Sequence, residues 1–432
     1  MLEVKQRNKY ERIIWWTIIC TIPLWLIGGI YIVGSILGWA LCIIKLCETR
    51  HIAKQNTFQT NIVILSWLIG ALILLISLLI GHYNYELGVI TTVKSSIGWA
   101  KGWALFPLYI VSGFLPVRKQ IIIRSIALNS IIMLAILVIG VLVFFLGVEG
   151  SIYTSPLRIV SPGNSDSFFD FTLLYRDLAT NSIKVRLFAP WSPALGLLAN
   201  TYFWIIINES DRKIRNIAII SIIVLCVVSN SRAALISITI IPTIMYLLKK
   251  IKGYLIFYIS SLLTAIVSIY YDLIVRFASD SWLLIRNSRS DSSRIRSLLT
   301  QISLQRWIDE AFWWGHGIVI QGPKLVENIL VGTHNTWVHL LYAKGLIGLI
   351  AFLLPMVILL LLSFMNFLRN NKNLLSTSCL GIVLVLWQYT ISENLEMLAY
   401  LYWPSLLFVG IVFASNNSGK ISAKEFKEGC KQ

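Results

Sequence analysis

The sequence predicts an all-α, polytopic membrane protein of about 12 transmembrane helices. Three observations carry that prediction. Of the 432 residues, 57% are hydrophobic and 13% charged, with a mean hydropathy of +0.75; a soluble protein carries about twice that charged fraction. Apolar runs long enough to cross a ~30 Å hydrocarbon core recur along nearly the whole chain. Lysines and arginines gather in short connectors between those runs, in the alternation that the positive-inside rule requires.

In order, the predicted spans are 13–29 and 30–46, a tight pair, then 61–80, 97–115 and 121–146. Next come 193–208, 216–228, 233–248 and 254–271, and finally 337–362, 376–391 and 398–413. With the N-terminus inside, the even-to-odd connectors and both tails should be basic. They are: Lys45/Arg50/Lys54, Arg118/Lys119, Arg212/Lys213/Arg215, Lys249/Lys250/Lys252, Arg369/Lys372 and Lys420/Lys424. The other short connectors are neutral or acidic, as at Glu393 and Glu396. This parity treats 1–432 as one integral membrane domain with both termini cytoplasmic. It places two long segments, 147–190 and 272–336, on the outer face.

The net charge of +17 is thereby accounted for by topology and does not call for nucleic acid. None of the six cysteines (20, 42, 47, 226, 379 and 430) falls in an outer segment, so no disulfide framework is expected. The charged start leads into a span without a small-residue cleavage site and reads as an uncleaved first helix. No Walker loop or dinucleotide glycine pattern is present, which argues against an ATP-driven pump.

Few residues remain that the membrane alone does not explain. Between Asp272 and Trp313 lie Arg276, Arg286, Arg289, Arg294, Arg296 and Arg306, without a lysine. A solvated surface segment at the headgroups is one reading. Bidentate recognition of phosphate or carboxylate, which favours arginine over lysine, is the other. Ser290 to Ser293 supply helix-cap residues just before Arg294, and 297–307 is then a short helix along the membrane. Arg232 sits in a brief turn between two apolar runs, either snorkelling or serving as a fixed cation for a lipid headgroup. His334 stands in Gly332-Thr333-His334-Asn335-Thr336-Trp337 at the mouth of a span. An imidazole there is either structural or a proton-exchanging group near neutral pH. A zinc site from His316, His334 and His339 lacks any HExxH or cysteine pair, so no metal is expected. Gly345 and Gly348 suit close helix packing.

The arrangement His334-Asn335, nine residues, Gly345, two residues, Gly348 resembles the signature of the O-antigen ligase/polymerase family of bacterial surface-polysaccharide enzymes. Residues 288–294 and Gly315-His316-Gly317 look like that family's large outer loop, and Ser231-Arg232-Ala233-Ala234 like its shorter arginine turn. The resemblance spans roughly residues 229 to 350. It implies a GT-C-like fold and a metal-independent, inverting glycosyltransferase without cofactor. Its donor would be an oligosaccharide on undecaprenyl diphosphate at the outer face of the bacterial inner (plasma) membrane. By analogy Arg232 and Arg294 bind the diphosphate, with Arg296 or Arg289 as substitutes for Arg294 because the spacing to Gly315 is longer than usual. His334 is then the general base, supported by Asn335, Gly345 and Gly348. Implied partners, besides membrane lipids, are a chain-length regulator and a flippase.

A polymerase of O-antigen or capsular repeat units and a ligase acting on lipid A core share this donor. The segment 147–190 favours the polymerase, as a place for a second lipid-linked substrate. A protein- or teichoic-type acceptor stays open, and so does a lipid-linked sugar transporter or flippase. Transport calls for ionisable residues near mid-span, whereas the candidates here lie at the outer boundary.

Overall fold

The computed structural model describes residues 6–52, 62–160, 166–176, 182–250, 258, 261–262, 264–265, 268–271, 290–323, 330–333, 335–370 and 373–415. It is helical apart from two small ribbons. Five of its helices are long and apolar enough to cross a membrane, six if one bent pair is a single span. The membrane character follows the apolar runs, while the described residues show about half of the twelve expected crossings. Half of the predicted span 254–271 lies outside the described residues, and several other runs are bent, broken or short.

The reasons are local. The first run divides into α1 (Lys9–Ile19) and α2 (Thr21–Ile27), bent by 64°. Pro23 has no N–H for the Ile19 carbonyl and its ring crowds that turn. The run 97–115 divides likewise. After α3 (Ile30–Ile52) and α4 (Ile62–Asn84), α5 (Val89–Lys101) stops at Gly102 and α6 (Leu105–Ser112) resumes beyond it. Pro107 then deprives Trp103 of its helical acceptor role.

From α7 (Lys119–Phe145) the chain enters the segment 147–190, where short strands accompany an otherwise all-α membrane protein. There β1 (Ser151–Thr154) pairs antiparallel with β2 (Asp170–Thr172), and β3 (Leu174–Arg176) with β4 (Ile183–Val185). These ribbons cap the bundle. Phe171 stacks on Trp25 at 4.1 Å, and the Tyr153 hydroxyl donates to the Leu26 carbonyl at 2.6 Å. The sequence conceals them because each strand has only three or four residues, too few for an alternating pattern.

The remaining helices are α8 (Ser192–Ile206), α9 (Arg212–Val228), α10 (Arg232–Lys250), α11 (Ser290–Glu310), α12 (Thr336–Arg369), α13 (Leu374–Ser392), α14 (Leu395–Leu398) and α15 (Trp403–Ser415). Here α11 is longer than the expected 297–307. The serines at 290, 292 and 293 lie within its first turn rather than capping it from outside.

The bundle is centred on α12 lying against α4, with α13 on α12's other flank and α8 behind α13. The α4–α12 approach is close because Gly70 has no side chain: a Cβ there would lie 2.3 Å from the Ala351 carbonyl oxygen. Trp67, Phe106 and Phe352 form the aromatic contact between α4, α6 and α12, with centroids 5.1–5.6 Å apart.

Its two ends differ in charge. At one, Asn8, Asp211 and Asn373 cap α1, α9 and α13. Buried Glu11 and Glu209 there hold Arg118 at 2.7 Å and Arg124 at 3.0 Å. Lys249, Lys250 and Arg369 close helices at this end. The opposite end carries the ribbons and the starts of α8, α10 and α12.

The helix α12 is not continuous. At Gly345 the backbone has φ 66° and ψ −169°, a region essentially reserved for glycine. Gly345→Ala is expected to destabilise the fold by at least ~1–3 kcal/mol from backbone strain alone. A Cβ would also sit 2.3 Å from the Trp313 carbonyl oxygen. Thermal unfolding of the purified protein in detergent, compared with Gly88→Ala as an uncrowded positive-φ control, measures the extra loss.

Candidate active site

A break inside a membrane helix strands backbone donors and acceptors where no water can satisfy them. Here the segment 312–317 fills the gap. The amides of His316 and Gly317 donate to the carbonyls of Tyr342 (2.9 Å) and Ala343 (3.0 Å). In return, the amides of Leu346 and Ile347 donate to Phe312 (2.9 Å) and Trp313 (3.2 Å). The Ser77 hydroxyl on α4 supplies the Lys344 carbonyl at 2.5 Å. Gly345 is thus a junction through which the loop between α11 and α12 enters the bundle. Gly348 lies one turn on, with the Lys344 side chain laid across it.

The inserted loop is pinned by His316. Its ring lies between Tyr342 (4.4 Å) and Tyr85 (5.1 Å), Nδ1 meets the Tyr342 carbonyl and Nε2 meets Glu310 at 2.8 Å. Arg306 makes a two-pronged contact with Glu310 at 3.1 Å. The Arg306 guanidinium, then His316, hold the Glu310 carboxyl below its usual range.

The motif at the start of α12 is built by capping. Asn335 accepts the Val338 amide at 2.7 Å, which makes it the N-cap and shows why asparagine suits that position. His334 lies outside the described residues; its neighbours Thr333 and Asn335 are described. Thr336 is buried and bridges to the turn after α13. Its hydroxyl donates to the Glu393 carbonyl (2.8 Å) and receives the Leu395 amide (3.1 Å).

Against this junction lies α11. Leu299 and Ser303 are buried on it, beside Gly332, Thr333 and Val338. Arg296 shares their face, because 296, 299 and 303 follow the i, i+3, i+7 spacing. Arg294 is about 200° away around the helix. Both are exposed. Arg289, Arg276 and Arg286 fall outside the described residues.

Arg232 begins α10 at the same end of the bundle. Gln388 of α13 donates to the Ala233 carbonyl at 3.0 Å, and α13 ends at Glu393, one turn beyond. The described structure therefore gathers Arg232, Arg294, Arg296 and Asn335 at the ribbon-bearing end, while Gly345 and Gly348 lie deeper as packing positions. Of the zinc candidates, His316 and His339 each have both ring nitrogens engaged in hydrogen bonds or ion pairs. No three His, Cys, Asp or Glu side chains among the described residues gather as a metal set.

In the sequence, Glu393 and Glu396 figure only as the acidic charge of a short connector. Glu393 is buried and accepts the Trp191 indole N–H at 2.8 Å, a link from the ribbon segment. Burial pushes its carboxyl up to about 7, against the opposing pull of the Arg296 charge and the indole. Glu396 pairs with His339 at 2.7 Å. The available signal was two acids in a four-residue turn at a membrane boundary; nothing local shows that they face α12.

Residues 217–353, from α9 to the middle of α12, match the family model described as O-antigen ligase. None of the curated proteins matches the chain. The match supports an O-antigen ligase/polymerase-like family. With the apolar helices, it supports a membrane protein of polysaccharide biosynthesis with glycosyltransferase-like, ligase/polymerase-type activity in general. The matched stretch contains Arg232, both described loop arginines near the junction, and Gly345. It stops short of Glu393 and Glu396.

Glu393 makes stability depend on pH. Its folded value of about 7 lies above the 4.5 of an ordinary glutamate, so the folded state holds the proton more tightly. The favourable contribution is complete below about 4.5 and is lost as the pH rises through about 7. Relative to Glu393→Gln, the wild type is expected to lose up to about 3 kcal/mol between pH 4.5 and 8. Paired unfolding midpoints across that range check the slope, which must be downward with pH.

Proposed function

From the O-antigen ligase match, we propose that this chain is a metal-independent, inverting glycosyltransferase that polymerises lipid-linked oligosaccharide repeat units. The donor is a glycan on undecaprenyl diphosphate, and the acceptor is a second lipid-linked repeat. The observation that carries the reading is the clustering of Arg232, Arg296 and the Asn335 cap at one end of the bundle, opposite the basic connectors. By the positive-inside rule that end is the outer face of the inner membrane, with both termini cytoplasmic. The segments 147–190 and 272–336 are then its external loops.

In the proposed reaction an acceptor hydroxyl attacks the anomeric carbon, forming the new C–O bond with inversion. The bond from that carbon to the diphosphate oxygen breaks, and its electron pair leaves with undecaprenyl diphosphate. Arg232 and Arg296 stabilise the charge that develops on the departing diphosphate. Arg296 is preferred to Arg294 because it lies on the α11 face that packs toward the junction; Arg289 stays an alternate. The hydroxyl proton passes to neutral His334, a base suited to neutral pH.

Polymerase is favoured over transfer to lipid A core because Trp191 ties the ribbon segment to the Glu393 turn, beside the junction. That offers a second surface for a carbohydrate acceptor. A chain-length regulator and a flippase are the expected partners. Transport draws on a different observation, the buried Lys344 beside a broken helix, a device that transporters use.

Purified protein given defined lipid-linked repeat units, and nothing else, is expected to yield products of two or more repeats. His334→Ala should lower the rate by at least ~10²-fold, and Arg232→Ala and Arg296→Ala should abolish lengthening while the proteins still insert. Arg294→Ala should retain more activity than Arg296→Ala. Wild-type chain lengths in the His334 and Arg232 variants, or movement of intact lipid-linked sugar across vesicles without lengthening, would remove the assignment.

A further inference from the structure

The turn from Glu393 to Glu396 grips the chain on both sides of position 334. Downstream, the grip is the Thr336 hydroxyl, bonded to the Glu393 carbonyl and the Leu395 amide. Upstream it runs through His339. Its Nδ1 lies 3.1 Å from the Gly332 carbonyl, and its Nε2 lies 2.7 Å from Oε2 of Glu396. The ring is 9% exposed and stacks against Trp103 with centroids 6.2 Å apart.

A carbonyl only accepts, so Nδ1 carries a proton. One further proton must lie between Nε2 and the carboxylate, whichever atom holds it. Both ring nitrogens are therefore committed to the protein, which leaves His339 no free lone pair for substrate. Its geometry is that of a strut between two segments. The surroundings keep the strut in place. Gly102 at the end of α5 leaves room for Glu396, since a Cβ there would lie 2.4 Å from Cγ. The charges of Lys344, on α12, and Glu396 act on one another, and Tyr31 of α3 also feels Glu396. Lys101 of α5 lies over the Tyr31 ring at 4.9 Å.

We infer that His339 and Glu396 are positioning residues that hold the backbone on both sides of position 334, at 332–333 and 335–336, at the mouth of α12. The clamp stands on the hydrogen bonds above; its consequence for turnover rests on the polymerase reading.

Hydrogen exchange over residues 330–340 of the purified full-length protein, read beside repeat lengthening, tests both. Glu396→Ala leaves Nε2 unpaired, and His339→Phe keeps a ring but loses both bonds. Each is expected to speed exchange at 331–336 and to lower kcat about 10- to 100-fold, the scale of a small misplacement, while donor KM stays within about threefold. Glu396→Gln preserves the strut, because its amide can donate to Nε2 of a neutral ring, and should stay close to wild type in both readouts. Unchanged exchange in Glu396→Ala and His339→Phe overturns the clamp. Faster exchange with wild-type turnover overturns the positioning role. If the wild type lengthens nothing, the polymerase reading falls and the exchange measurement still decides the clamp.

Discussion

Everything at the ribbon-bearing end depends on how the interruption of α12 at Gly345 is healed. Water is not at hand within a bilayer, so each carbonyl and amide released by the break must find a protein partner. The segment 312–317 provides four of them and Ser77 a fifth. That requirement fixes where the loop enters, and the loop's entry fixes α11, which is only a few residues upstream. A continuous helix would leave Leu299 and Ser303 of α11 with no reason to lie beside Asn335.

Electrostatics at this end follow from the same layering. Glu310, Glu393 and Glu396 each face a cation or a histidine, and they sit where α11, α12 and the turn after α13 converge. Two arginines of α11 remain exposed: Arg296 on the face that buries Leu299 and Ser303 further along the helix, and Arg294 on the side away from it. The outcome is a rigid floor of capped helix ends and hydrogen-bonded turns with guanidinium groups above it. In the reaction proposed above, such a floor is where the anionic diphosphate is received, since its donors are held before a ligand arrives.

Much of this was legible in the order of residues, for identifiable reasons. Apolar runs announce membrane helices because length and composition suffice there. Asn335 was legible only as part of the His-Asn motif, and its role as the N-cap of α12 came from the structure. Gly345 and Gly348 announced packing, and Gly345 proved to be a backbone junction, which no spacing rule separates from a close helix contact. The strands of the ribbon segment were illegible because three residues carry no period. The bend before Pro23 and the break at Gly102 interrupted apolar runs that look continuous by hydropathy.

By itself, the sequence determined the membrane character, the distribution of cations between the two ends, and the family likeness of the stretch from Arg232 to Gly348. Those properties are local or additive: hydropathy sums along a run, and charge is counted connector by connector. Only the tertiary structure decided that the α11 face of Leu299 and Ser303, which Arg296 shares by helical spacing, is the one packed against the start of α12. It alone brought Glu393 and Glu396 against Thr336 and His339, across about sixty residues. Contacts of that reach arise from helix packing, and no periodicity within either segment encodes the partner.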